Sequence, residues 1–117
     1  MSRSQPTTDV PDVGDVVWLT LDPQSGHEQA GRRPALVLSP AEYNDKTSLA
    51  VVCPITNQPK GNPFEVPIMG NQYVSGAVLS DQVKSLDWRA RQASRKGRVS
   101  SGITDQVRAN IAELLGL

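Results

Sequence analysis

The chain is expected to fold as a small, strongly bent antiparallel barrel with a C-terminal helix, mainly β with short helices (α+β). Three observations predict this. Short runs rich in Val, Ile, Leu and Thr recur from Val16 to Val99, each punctuated by Gly, Pro, Asn or Asp. Beyond Ser100 the apolar period changes from strand-like to helical. With 117 residues and 38% hydrophobic content, the chain can build one domain with its own core and is too short for two of ordinary size.

Residues 1–11 are rich in Ser, Thr, Gln and Pro and offer little to bury, so they read as a disordered lead-in to a single domain over 12–117. Gly14-Asp15 opens the first strand, Val16 to Leu21, which stops at the turn pair Asp22-Pro23. A loop bracketed by Gly26 and Gly31 carries one carboxylate and two guanidiniums and feeds a second strand, Arg33 to Ser39. Ser39 is placed to cap a short helical turn with Pro40 at its first position, ending at Asn44-Asp45. Ser48 to Cys53, continuing through Pro54 to Ile55-Thr56, gives a third strand, followed by the polar loop Asn57 to Pro63. Phe64 to Ile68 alternates as a strand, and Pro67 should hold it at an edge. Gly70 to Gly76 reads as a turn, and Ala77 to Leu86 as one long strand. Trp88 to Arg91 and Arg98-Val99 read as short strands flanking a turn at Arg95-Lys96-Gly97. Finally Ile103, Val107, Ile111, Leu114 and Leu115 fall on one helical face, with Ser101 as the expected cap and Gly116 as the stop.

Formal charge is zero, but residues 1–83 hold nine acids against five bases, and residues 84–117 seven bases against three acids. Six of those bases lie between Lys84 and Arg98, so one face is expected to be basic. They suit a phosphate backbone, an acidic partner peptide or simply a solvated hairpin. The lone cysteine, Cys53, sits in an apolar run, consistent with a packed thiol in a reducing compartment. No apolar run reaches the ~18 residues of a membrane span, and no signal segment opens the chain, which points to a cytoplasmic protein. One histidine and one cysteine argue against an intrinsic zinc or iron site, and no cofactor motif is present.

RNA supplies its own nucleophile, the 2′-hydroxyl, so its cleavage demands little of a protein. A base must take that proton, a cation must hold the phosphorane charge, and a donor must serve the leaving oxygen. Glu28, Arg33 and Thr56 have those chemistries, and Arg33 and Thr56 stand at strand ends that neighbouring strands can bring to one rim. Each also has a plainer use: an Arg33–Glu28 surface pair, or a threonine that only bonds its following loop. His27, as the single histidine, is a substrate contact or a solvated side chain.

The residues that carry a resemblance are Pro11 to Trp18, Asp22-Pro23, Gly26 to Pro40, Pro54-Ile55-Thr56, Lys60 to Val66 and Ser80 to Ser85. In these stretches the chain closely resembles MazF/PemK-type toxins of bacterial toxin–antitoxin pairs. That resemblance implies an SH3-like barrel, a homodimer, and sequence-specific, metal-independent cleavage of single-stranded RNA to 2′,3′-cyclic phosphate and 5′-hydroxyl ends. Arg33 and Thr56 would be catalytic, with Glu28 catalytic or orienting. His27, Gln29, Arg32, Asn57, Gln58, Lys60 and Lys84 would contact substrate. The acidic tail of a MazE-like antitoxin would occupy the same groove. A gyrase poison of the CcdB type, built on the same barrel, is the alternative, as is a silent barrel that only binds its partner.

Overall fold

The computed structural model describes residues 10–21 and 31–117. His27, Glu28 and Gln29 therefore lie outside the described residues, as does the expected lead-in up to residue 9. Of the two remaining lead-in residues, Val10 packs on the core and Pro11 is buried.

Seven strands and two helices follow in the order β1 (Asp15–Leu21), β2 (Gly31–Val37), α1 (Ala41–Thr47), β3 (Leu49–Thr56), β4 (Glu65–Pro67), β5 (Ala77–Leu79), β6 (Lys84–Asp87), β7 (Ser94–Arg98) and α2 (Ser101–Leu115). They form one antiparallel sheet in the order β4-β5-β3-β2-β1-β7, with β6 also paired to β3. Among the described residues no ladder joins β4 to β7, so the bent sheet is not closed into a hydrogen-bonded barrel.

The middle strands read as unbroken apolar runs because both of their faces are covered. Val16, Leu36, Cys53 and Ile55 face one core, shared with Val78 and with Val107 of α2. Their chain neighbours Val17, Val37 and Val52 face a second core with Leu19, Leu86 and Trp88. Period-two alternation thus divides each strand between two apolar layers.

The long strand expected over Ala77 to Leu86 is interrupted. Ile55 and Thr56 of β3 pair with Val78 and Ala77, whereas Leu49 to Val52 pair with Asp87 to Lys84. Between those segments the register slips by three residues, and three residues, Ser80–Gln82, leave the ladder as a 3-10 turn. Ser80 is buried beneath α2, where Asn110 Nδ2 donates to its hydroxyl at 3.3 Å.

Four further expectations are corrected. Pro40, not Ser39, holds the N-cap position of α1, and the helix runs to Thr47. The Ser39 hydroxyl is engaged elsewhere, donating to Asn44 Oδ1 at 2.6 Å and accepting from the Val51 amide. Ser100 rather than Ser101 precedes α2, with no side-chain cap bond. Arg95, Lys96 and Gly97 lie within β7, and the turn falls at Trp88 to Gln92. Leu114 and Leu115 are exposed, the inner face of α2 being completed by Thr104 and Asn110.

Candidate RNA-cleavage site

The β2–β3 ladder runs Val37↔Val52, Leu36↔Cys53, Ala35↔Pro54 and then stops. Pro54 and Pro34 have no N–H to donate, so the two strands part where those residues stand. Beyond that point β2 pairs only with β1, Arg33 lying opposite Leu19, while Ile55 and Thr56 turn to β5. Thr56 therefore ends β3 and Arg33 is the third residue of β2, on the two limbs of a fork in the sheet.

Thr56 closes β3, and its hydroxyl accepts the Gln58 amide at 3.1 Å. An oxygen that accepts in this way keeps its own hydrogen to donate. The side chain opens on a cleft of about 310 Å³ lined by Thr56, Gln58, Lys60, Asn62, Glu65, Leu79, Asp81 and Gln82. Glu65 was not among the expected site residues. Its carboxylate accepts the amides of Lys60 and Gly61, at 3.0 and 2.8 Å, and the Asn62 side chain at 3.3 Å, fixing the far limb of the loop after β3. Asp81 and Gln82 reach the cleft because the 3-10 turn pushes them out of the ladder. A carboxylate leaving a loop two residues after the Asn62-Pro63 pair was the available signal for Glu65. The register slip that exposes Asp81 has none.

Of the expected substrate contacts, Gln58 and Lys60 line the cleft, and Asn57 is exposed just before them. Arg32 is placed differently, with its guanidinium donating to the carbonyls of Gln92 at 2.7 Å and Arg91 at 3.3 Å. Lys84 opens β6 opposite Val52, near enough to Cys53 for its charge to act on that thiol. The rest of the basic segment is largely paired within the fold. Arg98 meets the buried Asp15 carboxylate at 2.7 Å and Arg95 the same oxygen at 3.5 Å. Arg89 pairs with Asp45 and covers Trp88, Arg91 donates to the Thr20 carbonyl, and Lys96 lies over Trp18. Among the described residues no group of three or more His, Cys, Asp or Glu side chains is arranged to hold a metal ion.

A bent, open antiparallel sheet with two helices and a polar cleft at its fork makes the chain a small β-sheet domain with a surface site. Residues 12–115 match the family model of the PemK-like, MazF-like toxins of type II toxin–antitoxin systems, and the chain belongs to that family. It is 50% identical over 107 residues to the endoribonuclease toxin MazF of Escherichia coli K12, covering 92% of this chain and 96% of that one. The crystal structure of MazF from Deinococcus radiodurans superposes with a TM-score of 0.88 at 51% identity, covering 92% of this chain and 98% of the other. A crystal structure of MazE–MazF from the same organism gives a TM-score of 0.83 at 51% identity, over 92% and 97% of the two chains.

Proposed function

We propose that the chain is the toxin of a type II toxin–antitoxin pair and an endoribonuclease that cuts single-stranded RNA by attack of a ribose 2′-hydroxyl on its own phosphodiester. Arg33 clamps the non-bridging phosphate oxygens and holds the charge of the phosphorane, and Thr56 donates a hydrogen bond to the same group. Glu28 takes the 2′-hydroxyl proton or orients the group that does. The P–O5′ bond breaks as the 2′-oxygen bonds to phosphorus, the departing 5′-oxygen takes a proton from water, and the products are a 2′,3′-cyclic phosphate and a 5′-hydroxyl, formed without a metal by a nucleophile that belongs to the substrate.

The observation that carries this reading is the parting of β2 and β3 beyond Ala35↔Pro54, which leaves Arg33 on one limb of the fork and Thr56 on the other. The cleft beside it favours a base over a second phosphate. Glu65 and Asp81 set negative charge against phosphate, Asp81 can accept from an exocyclic amine, and Gln58 offers an amide that both gives and takes. Asn57 and Lys60, with His27, Gln29, Arg32 and Lys84, are the further RNA contacts in this reading. The acidic tail of a cognate antitoxin fills the same groove and shuts RNA out, the toxin acts as a homodimer, and its place is the cytoplasm, where its substrate lies.

The purified chain, incubated with defined single-stranded RNA in EDTA, is expected to cut at a short sequence and leave cyclic phosphate ends. Arg33→Ala should reduce kcat by at least about a hundredfold, the scale of losing one charge-stabilising donor. A single 2′-deoxy nucleotide on the 5′ side of the scissile phosphate should stop cleavage there. Cleavage of that deoxy substrate, or a strict need for divalent metal, defeats the mechanism.

A further inference from the structure

Gly76 precedes β5 in a left-handed conformation, φ +105°, that side-chain-bearing residues rarely adopt. Space is the tighter constraint. A Cβ added there would lie 2.1 Å from the Thr56 carbonyl oxygen, 3.0 Å from its carbonyl carbon and 3.5 Å from the Asn57 Cα. The obstruction is backbone, not the flexible end of a side chain, so the main chain at Thr56 must move to admit it. The next residue, Ala77, is the ladder partner of Thr56, and the Gly76 carbonyl accepts the Ile68 amide at 2.9 Å, which anchors the glycine from its other side.

We propose that Gly76 is a positioning residue for RNA cleavage. Its bare backbone lets β5 close onto the end of β3, and that contact fixes where the Thr56 hydroxyl stands relative to Arg33. This rests on the reading of Thr56 given above. The chain of action is short. Gly76 touches the Thr56 carbonyl, Thr56 holds the Gln58 amide through its hydroxyl, and Gln58 begins the loop that lines the cleft. A displacement of about 1 Å at a reacting group is enough to cost about a hundredfold in rate.

Gly70 supplies the control, since it lies in the same β4–β5 connection, has φ +67°, and a Cβ added there meets nothing within 4 Å. Gly70→Ala carries the strain of a positive φ without the collision. At a temperature where both variants are folded, Gly76→Ala is expected to lose about a hundredfold in kcat with KM changed less than about threefold, and Gly70→Ala to cleave like the parent. The double variant Gly76→Ala/Thr56→Ala should be no slower than Thr56→Ala alone, a non-additivity that general loosening of the fold does not produce. Retained kcat in Gly76→Ala beside an inactive Thr56→Ala overturns this inference and leaves the cleavage mechanism standing. Full cleavage by Thr56→Ala overturns the role of Thr56 and, with it, the inference. Should Gly76→Ala not fold, amide exchange of Gln58 in the parent protein decides. Slow exchange supports a Thr56 hydroxyl held in place, and exchange at the free-peptide rate overturns it.

Discussion

Thr56 and Arg33 show how far single residues could be read in advance. A threonine at the end of an apolar run and an arginine at the start of another are chemically suggestive, and those two runs pair antiparallel as far as Ala35 and Pro54. Gly76 gives no comparable signal, because its role depends on the backbone of a residue twenty positions away. Cys53 was legible as a packed side chain. Burial pushes its thiol up to about 12, with Asp81 adding to the effect and Lys84 opposing it. The unfolded thiol ionises near 9, so between about pH 9 and 12 the unfolded chain releases a proton that the folded one retains. Stability should therefore fall as pH rises through that window, and Cys53→Ala should flatten the dependence in urea titrations. Iodoacetamide at pH 8 should leave the native thiol unmodified and react once urea unfolds the chain.

At the scale of elements, legibility follows from what each one buries. The runs of β1, β2 and β3 are apolar at the right period, and their positions were readable to within two residues, whereas the buried face of α2 sets Thr104 and Asn110 beside Val107. β7 reads Ser-Arg-Lys-Gly-Arg, with no apolar side chain, and exists through backbone pairing to β1. Nothing in such a sequence distinguishes a strand from a turn. The split between β5 and β6 is equally hidden, since a three-residue slip spends polar residues that a continuous strand would also tolerate on an exposed face. The loop after β3 is a different kind of element, one hung on a single carboxylate. Glu65→Ala frees the amides of Lys60 and Gly61 together with the Asn62 side chain. The expected result is a KM for RNA raised about tenfold, with a loss of only about 1 kcal/mol in stability, because the freed donors turn to water. Cleavage assays and urea titrations measure the two separately, and an unchanged KM would show that the loop needs no such tether.

For the whole molecule, fold class and family were legible, while closure of the sheet was not. Barrel geometry demands that the last strand find the first, whereas among the described residues β4 and β7 are left as two ends. An unpaired strand end is a place where foreign chains add, and the two ends are blunted in different ways. Pro67 interrupts the donor row of β4, which is three residues long. On β7, Asn71 Nδ2 takes the Arg98 carbonyl at 2.7 Å, and Arg95, Lys96 and Arg98 crowd the strand with positive charge. Replacing both Arg95 and Lys96 with Thr should leave the melting temperature within a few degrees, since Arg98 still holds the buried Asp15 carboxylate at 2.7 Å and the Arg95 contact to it is the longer one, at 3.5 Å. Light scattering at raised protein concentration should nonetheless show faster self-association than in the parent.

The cations gathered between Lys84 and Arg98 thereby acquire a meaning unrelated to any ligand. A toxin that pairs with one copy of itself must not go on adding strands elsewhere, and positive charge along β7 opposes a further copy there. Selection for remaining dispersed, as much as selection for gripping a polyanion, would write this stretch of sequence.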